Sequence, residues 1–215
     1  MALQRNLIIA VDGPAASGKG TVARALANHF GLPHMDTGML YRAVAVSLNR
    51  FGGDPGNEFE AVRAVAGLAQ VAADDPELRS EIAGSVASRI SAYPGVRAAL
   101  IERQRDFARQ DGGAVLDGRD IGTVIAPGAT AKLFVTASAE VRARRRLAEL
   151  EARGAAAHFD DVLIDIRARD ERDAGRAAAP LMQAADAELL DTSEMGVEAA
   201  IARAIALVEA KLATA

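Results

Sequence analysis

A glycine-rich loop set between a buried strand and the start of a helix restricts this chain to very few folds. Asn6 to Val11 is a continuous apolar run with β-branched residues, the pattern of a strand covered on both faces. Gly13-Pro14-Ala15-Ala16-Ser17-Gly18-Lys19 follows and fits GxxxxGK. Thr21 to Phe30 then carries apolar residues at helical spacing (Val22, Leu26, Phe30) and stops at Gly31, with Pro33 just beyond. Strand, glycine loop and helix in that order mark a phosphate-binding loop. Its successive N–H groups turn around an anion, and the helix start adds roughly half a positive charge. Lys19 reaches the outer phosphates as a movable point charge. The ATP-binding stretch is therefore expected to be Gly13, Pro14, Ala15, Ala16, Ser17, Gly18, Lys19, Gly20 and Thr21.

The composition narrows the chemistry. Lysine stands only at 19, 132 and 211 among 25 basic Lys and Arg residues, so an ammonium has been kept at 19 in a chain that otherwise writes arginine. The chain has no cysteine, which excludes disulfides, thiolate catalysis and thiolate zinc sites and suits a reducing cytoplasm. A net charge of −4 argues against nucleic acid as a partner. The apolar run Leu7 to Val11 is too short for a signal-peptide core, and no stretch approaches the roughly 20 apolar residues of a membrane span.

The 215 residues suit a single domain, 1–215. Ala114 to Leu116 and Lys132 to Val135 are short apolar runs, each followed by polar residues and a helical pattern. Leu189 and Leu190 form a weaker last strand before a helix from Val197 to Leu212. Strands alternating with helices predict an α/β, three-layer fold with a central, mostly parallel sheet. Residues 53 to 92 read as short amphipathic helices broken at Asp74-Asp75-Pro76. The arginine-rich stretch from 140 to 176 is nearly balanced by acids and reads as salt-bridged surface helices, with pairs such as Arg145/Glu149 and Glu149/Arg153. Arg169, Arg172 and Arg176 nevertheless form a like-charged stripe that calls for an anion. His29, His34 and His158 fall in no catalytic arrangement and are read as structural or exposed.

One position departs from the general phosphate-loop motif. The hydroxyl residue expected after the lysine is Gly20, with the hydroxyl deferred to Thr21. Direct ligation of Mg²⁺ from that slot is impossible, so the metal is expected to rest on phosphates and water with carboxylates behind them. Asp117 ends the run Ala114-Val115-Leu116, and Asp36 follows Pro33-His34-Met35. Both lie at the carboxyl edge of a strand, where ligands of open parallel sheets bind.

Gly-Lys-Gly-Thr is what nucleoside monophosphate kinases carry. Over almost its whole length the chain resembles one family in particular, the bacterial cytidylate kinases. The likeness rests on Asp12-Gly13-Pro14, Asp36-Thr37-Gly38, Tyr41-Arg42, Ser88, Tyr93-Pro94 with Arg97, Asp117-Gly118-Arg119-Asp120 followed by Gly122-Thr123-Val124, Arg169-Asp170 with Asp173 and Arg176, and Ala179-Pro180-Leu181. The resemblance implies ATP-dependent phosphorylation of CMP and dCMP, with Mg²⁺ as cofactor and ATP as donor. It places Thr37, Tyr41 and Arg42 around the acceptor nucleotide, with Arg42 on its phosphate. It gives base readout to Ser88, Arg97 and Asp120, sets Arg119 nearer the phosphates, and makes residues 150–176 a mobile lid from which Arg169, Asp173 and Arg176 reach acceptor and transferred phosphate. Lys19, Arg42, Arg119, Arg169 and Arg176 would be catalytic, and Asp36 and Asp117 would act on the metal indirectly. Phosphoryl transfer to a phosphate, whose second pKa is about 6, needs no general base.

The chain departs from the family between 56 and 87. Relatives usually insert a small antiparallel sheet in the monophosphate-binding region, whereas this sequence is Ala/Glu-rich and helical. The insert, residues 53–95, is thus shortened, which leaves the choice between ribose and 2′-deoxyribose open. Rival readings are a related P-loop kinase acting on UMP, AMP or a small metabolite, and a non-catalytic nucleotide-binding module. Asn-Lys-x-Asp and Leu-Ser-Gly-Gly, signatures of GTPases and ABC-type ATPases, are both missing. No exposed heptad or apolar stripe announces a partner, so a monomer is expected.

Overall fold

A computed structural model describes residues 6–214. Five strands, β1 (Leu7–Asp12), β2 (His34–Asp36), β3 (Gly113–Gly118), β4 (Ala131–Thr136) and β5 (Glu188–Asp191), form one sheet in the order β2-β3-β1-β4-β5. All four pairings are parallel. The expected α/β sheet is therefore present.

Both faces of the sheet are covered, which explains why β1 is apolar without alternation. On one face Ile9 and Val11 pack with Val22 and Leu26 of helix α1 (Lys19–Phe30) and with Val208 of helix α8 (Val197–Ala213). On the other, Ala10 and Leu116 meet Ala108 of helix α5 (Pro94–Arg109). Register sets three carboxylates along one edge: Val11 pairs with Asp117, Asp12 with Gly118, and Asp36 with Asp117.

Residues after β3 do not form the helix their pattern suggests. Ile121–Ile125 makes a single π-helical turn. Asp12 at the end of β1 explains it: its carboxylate accepts the N–H groups of Ile121 at 2.8 Å and Gly122 at 2.7 Å and pins the turn against the sheet. Burial pushes the Asp12 carboxyl up to about 7, against the pull of these two N–H groups.

A helical unit precedes β3. Helix α2 (Thr37–Arg50) packs with α3 (Glu58–Ala64), α4 (Glu81–Ile90) and α5 around Val44, Leu48, Ile90 and Leu100. Two 3₁₀ turns, Val65–Gln70 and Pro76–Arg79, link α3 to α4, so residues 53–92 hold no strand, in line with their composition.

Helices α6 (Ala139–Glu151) and α7 (Phe159–Ala174) form a hairpin that closes Ala143, Leu150, Val162 and Ile166 over Ala15 of the glycine loop. The surface pairs expected here do not form. Glu149 pairs with Arg146 at 2.7 Å, while Arg145 turns inward to Thr192 and Arg153 donates to the Arg79 carbonyl at 3.2 Å. Backbone carbonyls left without partners by the loops offer these arginines better acceptors than an exposed carboxylate does. No helix among the described residues is long and apolar enough to cross a membrane.

Candidate active site

A cavity of about 380 Å³ opens at the carboxyl edge of the sheet, between the glycine loop, α2, α4 and the α6–α7 hairpin. The phosphate loop forms one wall through Ala15, Ala16, Lys19 and Gly20. Gly18 starts α1 with φ 88°, a left-handed conformation that glycine adopts without strain. Gly13 lies so close to β4 that a Cβ would sit 2.0 Å from the Val135 carbonyl oxygen. Thr21 is exposed on the first turn of α1 and does not line the cavity.

Side chains behind the loop hold its carbonyls. Arg142 donates to the Ala15 oxygen at 3.3 Å and is itself gripped by Asp170 through two bonds of 2.9 and 2.6 Å. Arg145 and the Thr192 hydroxyl both donate to the Ser17 oxygen, at 3.3 and 3.1 Å. With the carbonyls tied back, the loop's N–H groups are the dipoles left to meet an anion. The Lys19 ammonium donates to the Pro14 oxygen at 3.4 Å. Burial first, and Arg119 after it, lower its pKa to about 8, while Asp117 and Asp36 pull the other way.

Asp36 and Asp117 stand side by side on β2 and β3. Burial, and then Asp117, raise the pKa of Asp36. A Cβ at Gly20 would lie 3.7 Å from Asp117 Oδ2, so this carboxylate borders the slot where the general motif has a hydroxyl. Two adjacent carboxylates, Asp117 buried and Asp36 half-buried, present hard oxygen donors, and a divalent cation beside Lys19 would relieve their repulsion. The residues thus fit Mg²⁺ held through water and phosphate. Asp117 is also bonded by His34 Nε2 at 2.7 Å. Thr37 completes this corner by donating to the Asp117 carbonyl at 2.8 Å, an approach that requires Gly118, since a Cβ there would sit 2.6 Å from the threonine oxygen.

Arginines crowd the middle of the cavity. Arg119 donates to Asp173 at 2.7 Å, and Arg176 donates to Asp173 and to Ser91 Oγ, the latter at 2.9 Å. Burial acts to raise the Asp173 pKa, but Arg119 and Arg176 outweigh it and hold the carboxyl low. Arg169 is in a different state. Asp173, the carboxylate that acts on it most, is already taken by Arg119 and Arg176. Among the described residues its Nε finds no hydrogen-bond partner, and burial followed by Arg119 brings its pKa down to about 9. Such a group is poised for an anion. Arg172 lines the same cavity from the exposed side of α7. Arg42 is engaged otherwise: Nη1 donates to the carbonyls of Leu78 at 2.9 Å and Ser80 at 3.0 Å.

The far end is built from a buried pair. Arg97 Nη2 donates to Asp120 Oδ2, while its Nη1 reaches the Tyr41 hydroxyl at 3.3 Å and the Ser91 carbonyl at 3.4 Å. Burial raises the Asp120 pKa, with Arg97 opposing. Ser88 is buried at 4% exposure, and its hydroxyl finds no partner among the described residues.

All of Lys19, Asp36, Thr37, Tyr41, Arg42, Ser88, Arg97, Asp117, Arg119, Asp120, Arg169, Asp173 and Arg176 therefore line one cavity. Arg142, Arg145 and Thr192 were not legible as loop supports, because their partners lie 127, 128 and 175 residues away and no periodicity encodes that. His34 did carry a signal: strand alternation places it on the same face of β2 as Asp36.

Comparison with known proteins agrees with this geometry. The profile described as cytidylate kinase matches residues 9–210. A Xanthobacter autotrophicus cytidylate kinase is 59% identical over 209 residues, covering 96% of this chain and 99% of its own. One from a Caulobacter species is 56% identical over 94% of each chain. Among solved structures, an uncharacterized Eubacterium ventriosum protein shares the fold at TM-score 0.55 with 14% identity, covering 95% of this chain and 99% of its own. A family match across nearly the whole length, in a chain whose cavity joins a phosphate loop to a buried Arg–Asp pair, establishes that this chain belongs to the cytidylate kinase family.

Proposed function

We propose that this chain transfers the γ-phosphoryl group of ATP to CMP and dCMP, yielding ADP with CDP or dCDP. A single observation carries the reading. One cavity holds a phosphate loop at one end and, at the other, a buried carboxylate–guanidinium pair beside an unpartnered serine hydroxyl. Cytosine presents an amino donor at C4 and acceptors at N3 and O2. Asp120 accepts from the amine, Arg97 donates to the ring acceptors, and the Ser88 hydroxyl gains the partner it lacks.

The acceptor phosphate oxygen attacks the γ-phosphorus in line, and the bond from that phosphorus to the β–γ bridging oxygen breaks. The attacking phosphate is a dianion at neutral pH, so no side chain has to remove a proton. Bringing the two anions together is the difficulty. Each pair of unit charges 4 Å apart repels by about 4 kcal/mol at an effective dielectric of 20. Arg119, Arg169 and Arg176 lie between the two ends and oppose that repulsion with paired N–H donors. Arg42 leaves the Leu78 and Ser80 carbonyls for the acceptor phosphate, and Lys19 holds the donor phosphates. Mg²⁺ held by water and phosphates near Asp36 and Asp117 would neutralise charge on the β- and γ-oxygens. Residues 53–95 act as the monophosphate-binding insert and 150–176 as a lid that excludes water.

A coupled ADP-release assay with CMP, dCMP, UMP and AMP tests this. CMP and dCMP should support turnover at kcat/KM at least about a hundredfold above UMP and AMP. ADP release indifferent to CMP, or equal with UMP, would overturn the proposal.

A further inference from the structure

We propose that His34 is a positioning residue for the metal-facing carboxylate of Asp117, a role that rests on the kinase reading above. Asp117 is 2% exposed and its two oxygens are in different settings. Oδ1 receives His34 Nε2 at 2.7 Å. Oδ2 is the atom that borders Gly20, the first residue after Lys19. Holding Oδ1 stops the carboxylate from rotating about its Cβ–Cγ bond, so Oδ2 stays turned towards the start of α1 and the phosphates that would lie there.

The need for such an anchor follows from Gly20. A serine or threonine there would carry its hydroxyl on a short side chain fixed by the helix. This chain lacks that oxygen, and the slot is bordered instead by Arg24 Nη1 at 3.6 Å and, as its nearest side-chain oxygen, by the carboxylate reaching in from the end of β3 at 3.7 Å. An unanchored carboxylate has a rotor and an ammonium neighbour competing for it. The Asp117 carbonyl accepts from Thr37, which fixes the backbone but leaves the side chain free to turn. His34 supplies the remaining constraint. It stands two residues before Asp36 on β2, and its side chain is half-buried at 16% exposure, beside the carboxylate yet still open to solvent.

Three substitutions test the assignment, with metal affinity read separately from activity. Mn²⁺ is titrated into the ADP-bound protein and followed by electron paramagnetic resonance, with no CMP present. His34→Phe keeps the ring volume without the donor, and should weaken Mn²⁺ binding about tenfold, with the KM for CMP unchanged within about twofold. His34→Gln can donate from its amide at a similar reach and should restore most of the affinity. In an Asp117→Asn background, His34→Phe should have no further effect, because the two act through one oxygen. Wild-type affinity in His34→Phe, equal losses in Phe and Gln variants, or full additivity with Asp117→Asn would each overturn the proposal. Failure of the kinase reading itself would register separately, as absent CMP turnover with the metal titration unaffected.

Discussion

Replacing Arg169 with methionine should make the ligand-free protein more stable and the enzyme nearly inactive. Its guanidinium is half-buried, Asp173 beside it serves Arg119 and Arg176, and its Nε finds no partner among the described residues. Burial, and Arg119 after it, lower its pKa well below the ordinary guanidinium range, to about 9, while Asp173 pulls back. A folded-state pKa below the unfolded one means that the charged form is disfavoured on folding. The penalty is complete below pH about 9 and fades as pH rises beyond it. At about 1.36 kcal/mol per pKa unit this corresponds to on the order of 5 kcal/mol, which side-chain relaxation and water penetration reduce to about 1–3 kcal/mol. Methionine fills similar space without charge. For a domain of this length the melting temperature should rise by about 2–12 °C. The same change removes a donor that the proposed function sets on the transferred phosphate, so kcat/KM for CMP should fall by about 10²–10³. Differential scanning fluorimetry and the ADP-release assay measure both. A lower melting temperature would show Arg169 to be a structural cation and refute the reasoning.

Two further outcomes follow from the same cavity. Arg176→Ala should lower kcat by about a hundredfold while calorimetric ATP affinity stays within about threefold, because Arg176 lies beside Ser91 and Asp173 and away from the glycine loop; wild-type turnover would contradict it. Nucleotide affinity of the free enzyme should decline above pH about 8, where the half-buried Lys19 loses its proton, and ATP binding below that pH should need no proton uptake at this group. Binding measured from pH 6 to 10 checks this, and a flat profile would remove Lys19 from phosphate contact.

Much of the site was legible in sequence because its parts are local. The strand, loop and helix around Lys19 obey spacing rules over about 25 residues, and the end of β3 shows as a carboxylate closing an apolar run. What the residues could not reveal is which arginine serves which acceptor. Arg145 sits four residues before Glu149, an arrangement that helical arithmetic pairs, yet its fork lies on Thr192 and Ser17. The helix rule counts neighbours on one surface, and α6 is not a free surface: it backs the glycine loop. Arg42 likewise reads as a phosphate ligand, while in the ligand-free protein it ties α2 to the carbonyls before α4. The π-helical turn after Asp120 was hidden for a related reason. It depends on Asp12, 109 residues away, and not on any pattern of its own.

The most direct test concerns Asp120. It is 6% exposed, and among the described side chains Arg97 alone donates to it. Uracil would turn a carbonyl towards its carboxylate, leaving a buried acceptor facing another acceptor. Asp120→Asn supplies an amide that can donate to that carbonyl, so the ratio of kcat/KM for UMP to that for CMP should rise by about 10–100-fold. An unchanged ratio, with the variant folded and turning over CMP, would place cytosine elsewhere in the cavity and contradict the account.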